Sequence, residues 1–264
     1  MAEQPVIGLT IEAGIARIVF NRPLEGNPIS DGFIQALDDV TLECADRKDV
    51  RAVIISALGK RFSVGGNILE FASEPDKLSS KIRRWNASLQ GSVARLQRMD
   101  APSVVAVNGA VAGGALSIIS GCDIIVAVTS ANFVAAYATI GYCPDLGGTL
   151  SMAKRIGVSR TRRFHLLHET LLTAEAHQLG LVDFVVENST ELVQKTEEIA
   201  KQWASGPTLA YAAVRRLMQT ASTSSLETQM ENETQSLVDL VRTDDAREAL
   251  RAFLDKAPPH YKGA

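Results

Sequence analysis

The sequence predicts an α/β fold: a core over residues 1–190 followed by a wholly helical region over residues 191–264. Three observations carry this. Short β-branched runs alternate with helical stretches through the first half of the chain. Beyond about residue 190 the apolar spacing is helical only. The 264 residues, 46% of them apolar, suffice for one or two domains with a sizeable core and no staples.

The elements follow in order. Ile7 to Glu12 and Ile15 to Phe20, separated by Ala13-Gly14, read as a hairpin. Ser30 to Arg47 reads as a helix behind a serine N-cap, with Phe33, Ala36, Leu37 and Val40 on one face. Val53 to Ser56 is a short buried strand. Leu78 to Met99 carries Ile82, Trp85, Leu89, Val93 and Leu96 on one stripe of a long amphipathic helix, so its tryptophan reads as core. Val104 to Val107 is a strand, Gly113 to Gly121 a helix, Ile124 to Val128 a strand, and Leu181 to Val186 the last strand. Four helices close the chain: Thr190–Ala204, Pro207–Thr220, Ser225–Arg242 and Asp244–Lys256. Such a helical tail is expected to pack on the core or on another subunit.

Composition excludes several classes of function. With 27 Lys and Arg against 30 Asp and Glu the net charge is −3, which gives no electrostatic footprint for nucleic acid or anionic lipid. Three cysteines without a CxxC pair form neither a disulfide framework nor a zinc ribbon and fit a reducing, cytoplasmic setting. The start, MAEQPVIGLTIE, has no basic region ahead of an apolar run, so no secretory signal is read there. Ser103 to Cys122 is uncharged and long enough to span a bilayer, but Asn108-Gly109 and Gly113-Gly114 interrupt it. A strand, a glycine turn and a buried helix explain it better.

Chemistry concentrates at three places. Gly65-Gly66 lies in RFSVGGN and Gly113-Gly114 in NGAVAGGAL, each pair after a strand. Such pairs serve as turns and close-packing sites. They also leave backbone N–H groups unshielded, and two of these converging on one carbonyl oxygen make an oxyanion hole. Neither pair matches a dinucleotide or phosphate-loop motif. The third place is Asp145, in NFVAAYATIGYCPDLGGT, read as an apolar, glycine-rich loop opening a helix. It is either the N-cap of a helix beginning near Gly147 or an acid/base tuned by desolvation. His165 and His168 are spaced for a shared metal, but no third ligand is near and no metal is expected. The Arg160–Arg163 cluster reads as a solvated helix face.

Taken together, these segments resemble the enoyl-CoA hydratase/isomerase (crotonase) superfamily over nearly the whole chain. Asn21-Arg22-Pro23 with Asn27 is similar to its NRP-x-x-x-N segment, and Phe62–Asn67 to F-x-x-G-A-D. Ala106–Gly114 is similar to A-x-x-G-x-A-x-G-G, and Cys122-Asp123-Ile124 to C-D-I/L. Ile140–Thr149 resembles I-G-L-x-P-D-x-G-G-T, Ala174–Val186 resembles A-x-E-A-x-x-x-G-L-V-x-x-V, and Phe253–Lys256 resembles the C-terminal A-F-x-E-K.

The resemblance implies a spiral of ββα units, a C-terminal helical region that trimerises, commonly into a dimer of trimers, and an acyl-CoA thioester substrate. Coenzyme A then belongs to the substrate, and no separate cofactor is implied. It places Gly66 and Gly114 on the two oxyanion-hole positions, Ser117 and Tyr137 along the acyl pocket, and Val64, Asn67 and Ile68 among the substrate-binding residues, with the backbone at Asn67 contacting the adenine. Phe253 and Lys256 fall where a neighbouring subunit approaches CoA, although Lys256 reads equally as a solvated helix-end lysine. The two glutamates of typical hydratases align with Ser117 and Tyr137, so the usual hydration machinery is absent. Asp145 aligns with the acid/base of some double-bond isomerases. The reading is therefore an enoyl-CoA isomerase. A hydratase or thioester hydrolase activating water through Asp145 is the alternative, and a non-catalytic acyl-CoA- or RNA-binding relative is the alternative of another class.

Overall fold

The computed structural model describes residues 4–264; the first three residues of the segment read for a secretory signal lie outside it. The hairpin forms as expected. β1 (Ile7–Glu12) pairs antiparallel with β2 (Ile15–Phe20), Ile7 opposite Phe20. Ala13 and Gly14 both take positive φ, as a two-residue turn between twisted strands requires. Ser30 caps α1 (Asp31–Asp46), its hydroxyl accepting the Phe33 N–H at 3.2 Å.

From there the chain winds as a spiral between two sheets. β3 (Ala52–Ala57) lies in the first sheet and β4 (Arg61–Ser63) in the second, followed by α2 (Ile68–Ser73) and α3 (Leu78–Arg98). β5 (Ser103–Val107) returns to the first sheet, β6 (Ala110–Ala112) to the second, and α4 (Gly114–Ser120) follows. β7 (Ile124–Val128) and β8 (Asn132–Val134) repeat the pattern ahead of α5 (Gly148–Ile156) and α6 (Val158–Leu166). β9 (Thr170–Leu172), α7 (Thr173–Gln178) and β10 (Phe184–Val186) complete it. The first sheet runs β1-β2-β3-β5-β7-β10, parallel after the hairpin; the second runs β4-β6-β8-β9.

Burial explains why the run from Ser103 to Cys122 lacks charge. Every residue of β5 and of α4 is buried, which suits a parallel strand covered on both faces and a helix with no exposed side. No helix among the described residues is long and apolar enough to cross a membrane.

Two expectations need correction. The last strand begins at Phe184 rather than Leu181, because Leu181 and Val182 bury their side chains in a turn whose amides return to the Ala176 carbonyl. The stretch from Asn132 is not all loop, since its first three residues form β8.

Four helices close the chain: α8 (Ser189–Ala204), α9 (Thr208–Thr220), α10 (Leu226–Leu240) and α11 (Asp244–Asp255). Asn188, Ser225 and Thr243 cap three of them. α8 packs across β3, β5 and β7, α9 against α3, and α10 against α9.

Candidate active site

The two glycine pairs meet in space because β4 and β6 are parallel neighbours in the second sheet. Gly65 and Gly113 both hold positive φ, +84° and +52°. A Cβ on Gly65 would stand 2.8 Å from the Ala112 carbonyl oxygen and 3.3 Å from the Gly113 Cα, so only glycine lets the two turns touch backbone to backbone. The next residue on each turn, Gly66 and Gly114, lines a single cavity of about 700 Å³.

Both amides there are free. The Ile29 N–H bonds the Gly65 carbonyl at 2.8 Å and the Asn67 N–H bonds the Ile29 carbonyl at 3.0 Å. This parallel bridge uses the peptide groups on either side of Gly66 and turns its own N–H away. Gly114 opens α4, where an amide has no intrahelical acceptor and sits at the positive end of the helix. Neither N–H bonds another described residue.

The first turn is held from the N-terminal segment. Asn27 is 1% exposed with φ +52°, and its side chain reaches the carbonyls of Leu58, Arg61 and Phe62 at 3.0–3.1 Å while accepting the Arg22 N–H at 2.8 Å. The Ser63 hydroxyl donates to the Asn27 carbonyl at 2.7 Å and accepts the Gly65 N–H at 3.1 Å. A fully satisfied buried polar cluster of this kind rigidifies what it holds.

Asp145 lies on the opposite side, in the irregular segment after β8. It does not cap α5: that helix starts from Gly147 with no side-chain cap, and only the main-chain carbonyl of Asp145 takes part, accepting the Gly148 N–H at 2.9 Å. Its carboxylate Oδ1 instead accepts the Tyr137 hydroxyl at 2.6 Å. The Tyr137 oxygen lies 3.1 Å from Ser117 Oγ. Since the one phenol proton goes to the carboxylate, Ser117 is the donor in that second bond. Burial, and then the charge of Asp145, push the Tyr137 phenol well above its usual range, so it stays protonated and donating. Leu146, buried beside Asp145, adopts φ +54°, a conformation that costs a leucine roughly 1–2 kcal/mol.

The front of the cavity is apolar and aromatic. Phe71 of α2 packs against Trp85 of α3 at 5.5 Å between ring centroids and against Tyr142 at 6.1 Å. Ile82 and Leu89 extend that wall. Among the described residues, Asp145 is the one carboxylate that lines the cavity.

Of the residues predicted for the site, Gly66, Gly114, Asp145, Val64, Ile68 and Tyr137 line this one cavity. Ser117 and Asn67 do not. Ser117 is buried behind Tyr137, within α4, and Asn67 caps α2, accepting the Glu70 N–H at 3.4 Å. Phe253 is 81% exposed and Lys256 ends α11 in a left-handed conformation; neither lines the cavity of its own chain. His165 packs edge-on to Phe164 and Tyr137, and burial holds its imidazole below the usual range. No cluster of metal-ligating side chains exists among the described residues. The arginine cluster is not simply solvated, because Arg160 bridges Glu169 and Glu175 and Arg163 reaches Glu169.

Phe71, Trp85 and Tyr142 were not legible as site residues. The helical stripe that carries Trp85 is the same whether it faces a core or a cavity. Phe71 and Tyr142 stand far apart in sequence and join it only in the fold.

The chain is similar to known proteins over nearly its whole length. The chain matches the enoyl-CoA hydratase/isomerase family over residues 10–264. It is 28% identical over 257 residues to the 1,2-epoxyphenylacetyl-CoA isomerase of Escherichia coli strain K12, covering 96% of this chain and 97% of that one. It is 29% identical over 260 residues to the trans-2-decenoyl-[acyl-carrier-protein] isomerase of Streptococcus mutans, covering 96% of each. A solved enoyl-CoA hydratase from Bacillus anthracis superposes with a TM-score of 0.91 at 26% identity, covering 99% of this chain and 100% of that one. With a matching family over nearly its full length, a spiral of paired strands and two free glycine amides on one cavity, the chain belongs to the enoyl-CoA hydratase/isomerase (crotonase) superfamily of enzymes.

Proposed function

We propose that the protein is an acyl-CoA isomerase that shifts a carbon–carbon double bond, with Asp145 as its acid/base. The observation that carries the proposal is the placement of Asp145, among the described residues the one carboxylate lining a cavity that also presents the free amides of Gly66 and Gly114. The thioester carbonyl oxygen accepts both N–H groups. Charge developing on that oxygen as a proton leaves is stabilised by several kcal/mol, because the donors are already aligned and sheltered from water. Asp145 removes a proton from one carbon of the conjugated system and returns it at another, so the double bond moves and nothing is added.

One further point favours isomerisation over hydration. The Ser117 and Tyr137 positions, where typical hydratases carry glutamates, hold hydroxyls that bond to each other and leave, among the described residues, one carboxylate on the cavity instead of two. Relatives of similar identity are named both isomerase and hydratase, so the choice rests on these side chains. The apolar wall of Ile82, Trp85, Leu89 and Phe71 suits an apolar acyl group, cyclic or linear.

Asp145→Asn tests the reading. Asparagine still accepts the Tyr137 hydroxyl and leaves both amides in place, so stability and binding of a CoA thioester persist. Proton transfer does not, and turnover is expected to fall by about two to four orders of magnitude. A variant that binds and turns over like the parent overturns the assignment.

A further inference from the structure

Among the described residues, the Asp145 carboxylate has only one anchor. Oδ1 takes the Tyr137 hydroxyl, and Oδ2 accepts nothing from the other described residues. The segment that carries it has no sheet ladder to hold it. Between Ile140 and α5 it passes through positive φ at Gly141, Leu146 and Gly147, and a Cβ on Gly141 or Gly147 would meet nothing within 4 Å. One face of this segment is therefore open, and its inward side depends on few contacts.

Tyr137 supplies the contact that matters for geometry. Its hydroxyl lies 3.7 Å from where a Cβ on Gly114 would stand, beside one of the two oxyanion amides. The same hydroxyl is gripped from behind by Ser117, one helical turn along α4 from Gly114. A continuous path thus runs from the helix that presents an oxyanion amide, through Ser117 and Tyr137, to the carboxylate on the far wall. We infer that Tyr137, seated by Ser117, is a positioning residue that sets where Asp145 stands relative to the oxyanion hole and keeps Oδ2 free for the substrate proton. This inference rests on Asp145 acting as the acid/base. Proton transfer is sensitive to such placement: a displacement of about 1 Å can cost a hundredfold in rate.

A double-mutant cycle tests it, with the full chain and a thioester substrate whose isomerisation is followed by absorbance. Tyr137→Phe removes only the hydroxyl. It is expected to lower kcat by about ten- to a hundredfold with KM little changed. In the Asp145→Asn background the same substitution should change the residual rate by less than about twofold, since a tether has no effect once the group it holds is gone. Ser117→Ala should show the same pattern on a smaller scale. An equal loss from Tyr137→Phe in both backgrounds overturns the inference, as does a change confined to KM or an unaltered kcat. Should Tyr137→Phe fail to fold, Ser117→Ala carries the test, and parental kcat in that variant overturns it. If Asp145→Asn alone keeps parental turnover, the acid/base reading fails first and the inference falls with it.

Discussion

The two sides of the cavity are built on different principles. The side proposed as the oxyanion hole is backbone: two glycine turns at the ends of neighbouring parallel strands, pressed together so closely that a methyl group would not fit between them. Asn27 and Ser63 fix one turn, and a fully buried helix fixes the other. The side proposed to carry the acid/base is side chain: an aspartate on an irregular segment, reached among the described residues by a single hydroxyl. The first side is held by backbone packing, and its proposed part, binding a thioester oxygen, is common to many thioester reactions. The second is a small set of replaceable side chains, so it is where a fold of this kind can change reaction while keeping its substrate handle.

That contrast can be broken from the rigid side. Gly114→Pro deletes one oxyanion donor at the first position of α4, where proline is tolerated by a helix. Turnover is expected to fall by about two to three orders of magnitude. Circular dichroism and a thermal melt check that the fold survives. Near-normal turnover in a folded variant would remove this amide from the mechanism.

A gentler probe sharpens the contrast through the three cysteines. Cys143 is exposed at the cavity rim on the acid/base side, whereas Cys44 and Cys122 are buried in the scaffold. Burial pushes the Cys44 thiol up to about 11 and the Cys122 thiol up to about 12. The thiolate is the reactive form, and raising a thiol's pKa leaves less of it at neutral pH. Native protein near pH 8 should therefore show one thiol reacting with a disulfide reagent at least about a hundredfold faster than the other two, and three after unfolding. Raising the pH should narrow the gap, because it converts more of the buried thiols to thiolate. A CoA thioester filling the cavity should slow the fast reaction. Three thiols of equal rate in folded protein would show that the scaffold is not closed as described.

The same division decides how much could be read without a structure. The backbone side left marks in sequence. A turn with positive φ selects glycine, so Gly65-Gly66 and Gly113-Gly114 stood out, as did Ala13-Gly14 between β1 and β2. The long helices did too, since Trp85, Leu89, Val93 and Leu96 recur at helical spacing over several turns and all prove buried. The strands of the second sheet left little, because β4, β6, β8 and β9 are three residues each and too short to display an alternation.

Asp145 was visible as a lone carboxylate in an apolar stretch, but its surroundings were not. Nothing local distinguishes a helix-capping carboxylate from one held by a tyrosine eight residues away, which is itself held by a serine twenty residues earlier. Contacts of that kind exist only once β8, α4 and the segment before α5 are packed together. The aromatic wall was hidden for the same reason, as were the ion pairs of Arg160.

The central claim, that one carboxylate opposite an oxyanion hole moves a proton rather than adding water, is tested most directly by mass. Incubating the purified protein with a small panel of 2-enoyl-, 3-enoyl- and aryl-CoA thioesters, and following each by mass spectrometry and absorbance, separates the two reactions. Isomerisation predicts a product of unchanged mass with an altered absorbance for at least one member of the panel. A product heavier by one water, formed without any isomer, would contradict the account and assign Asp145 to activating water.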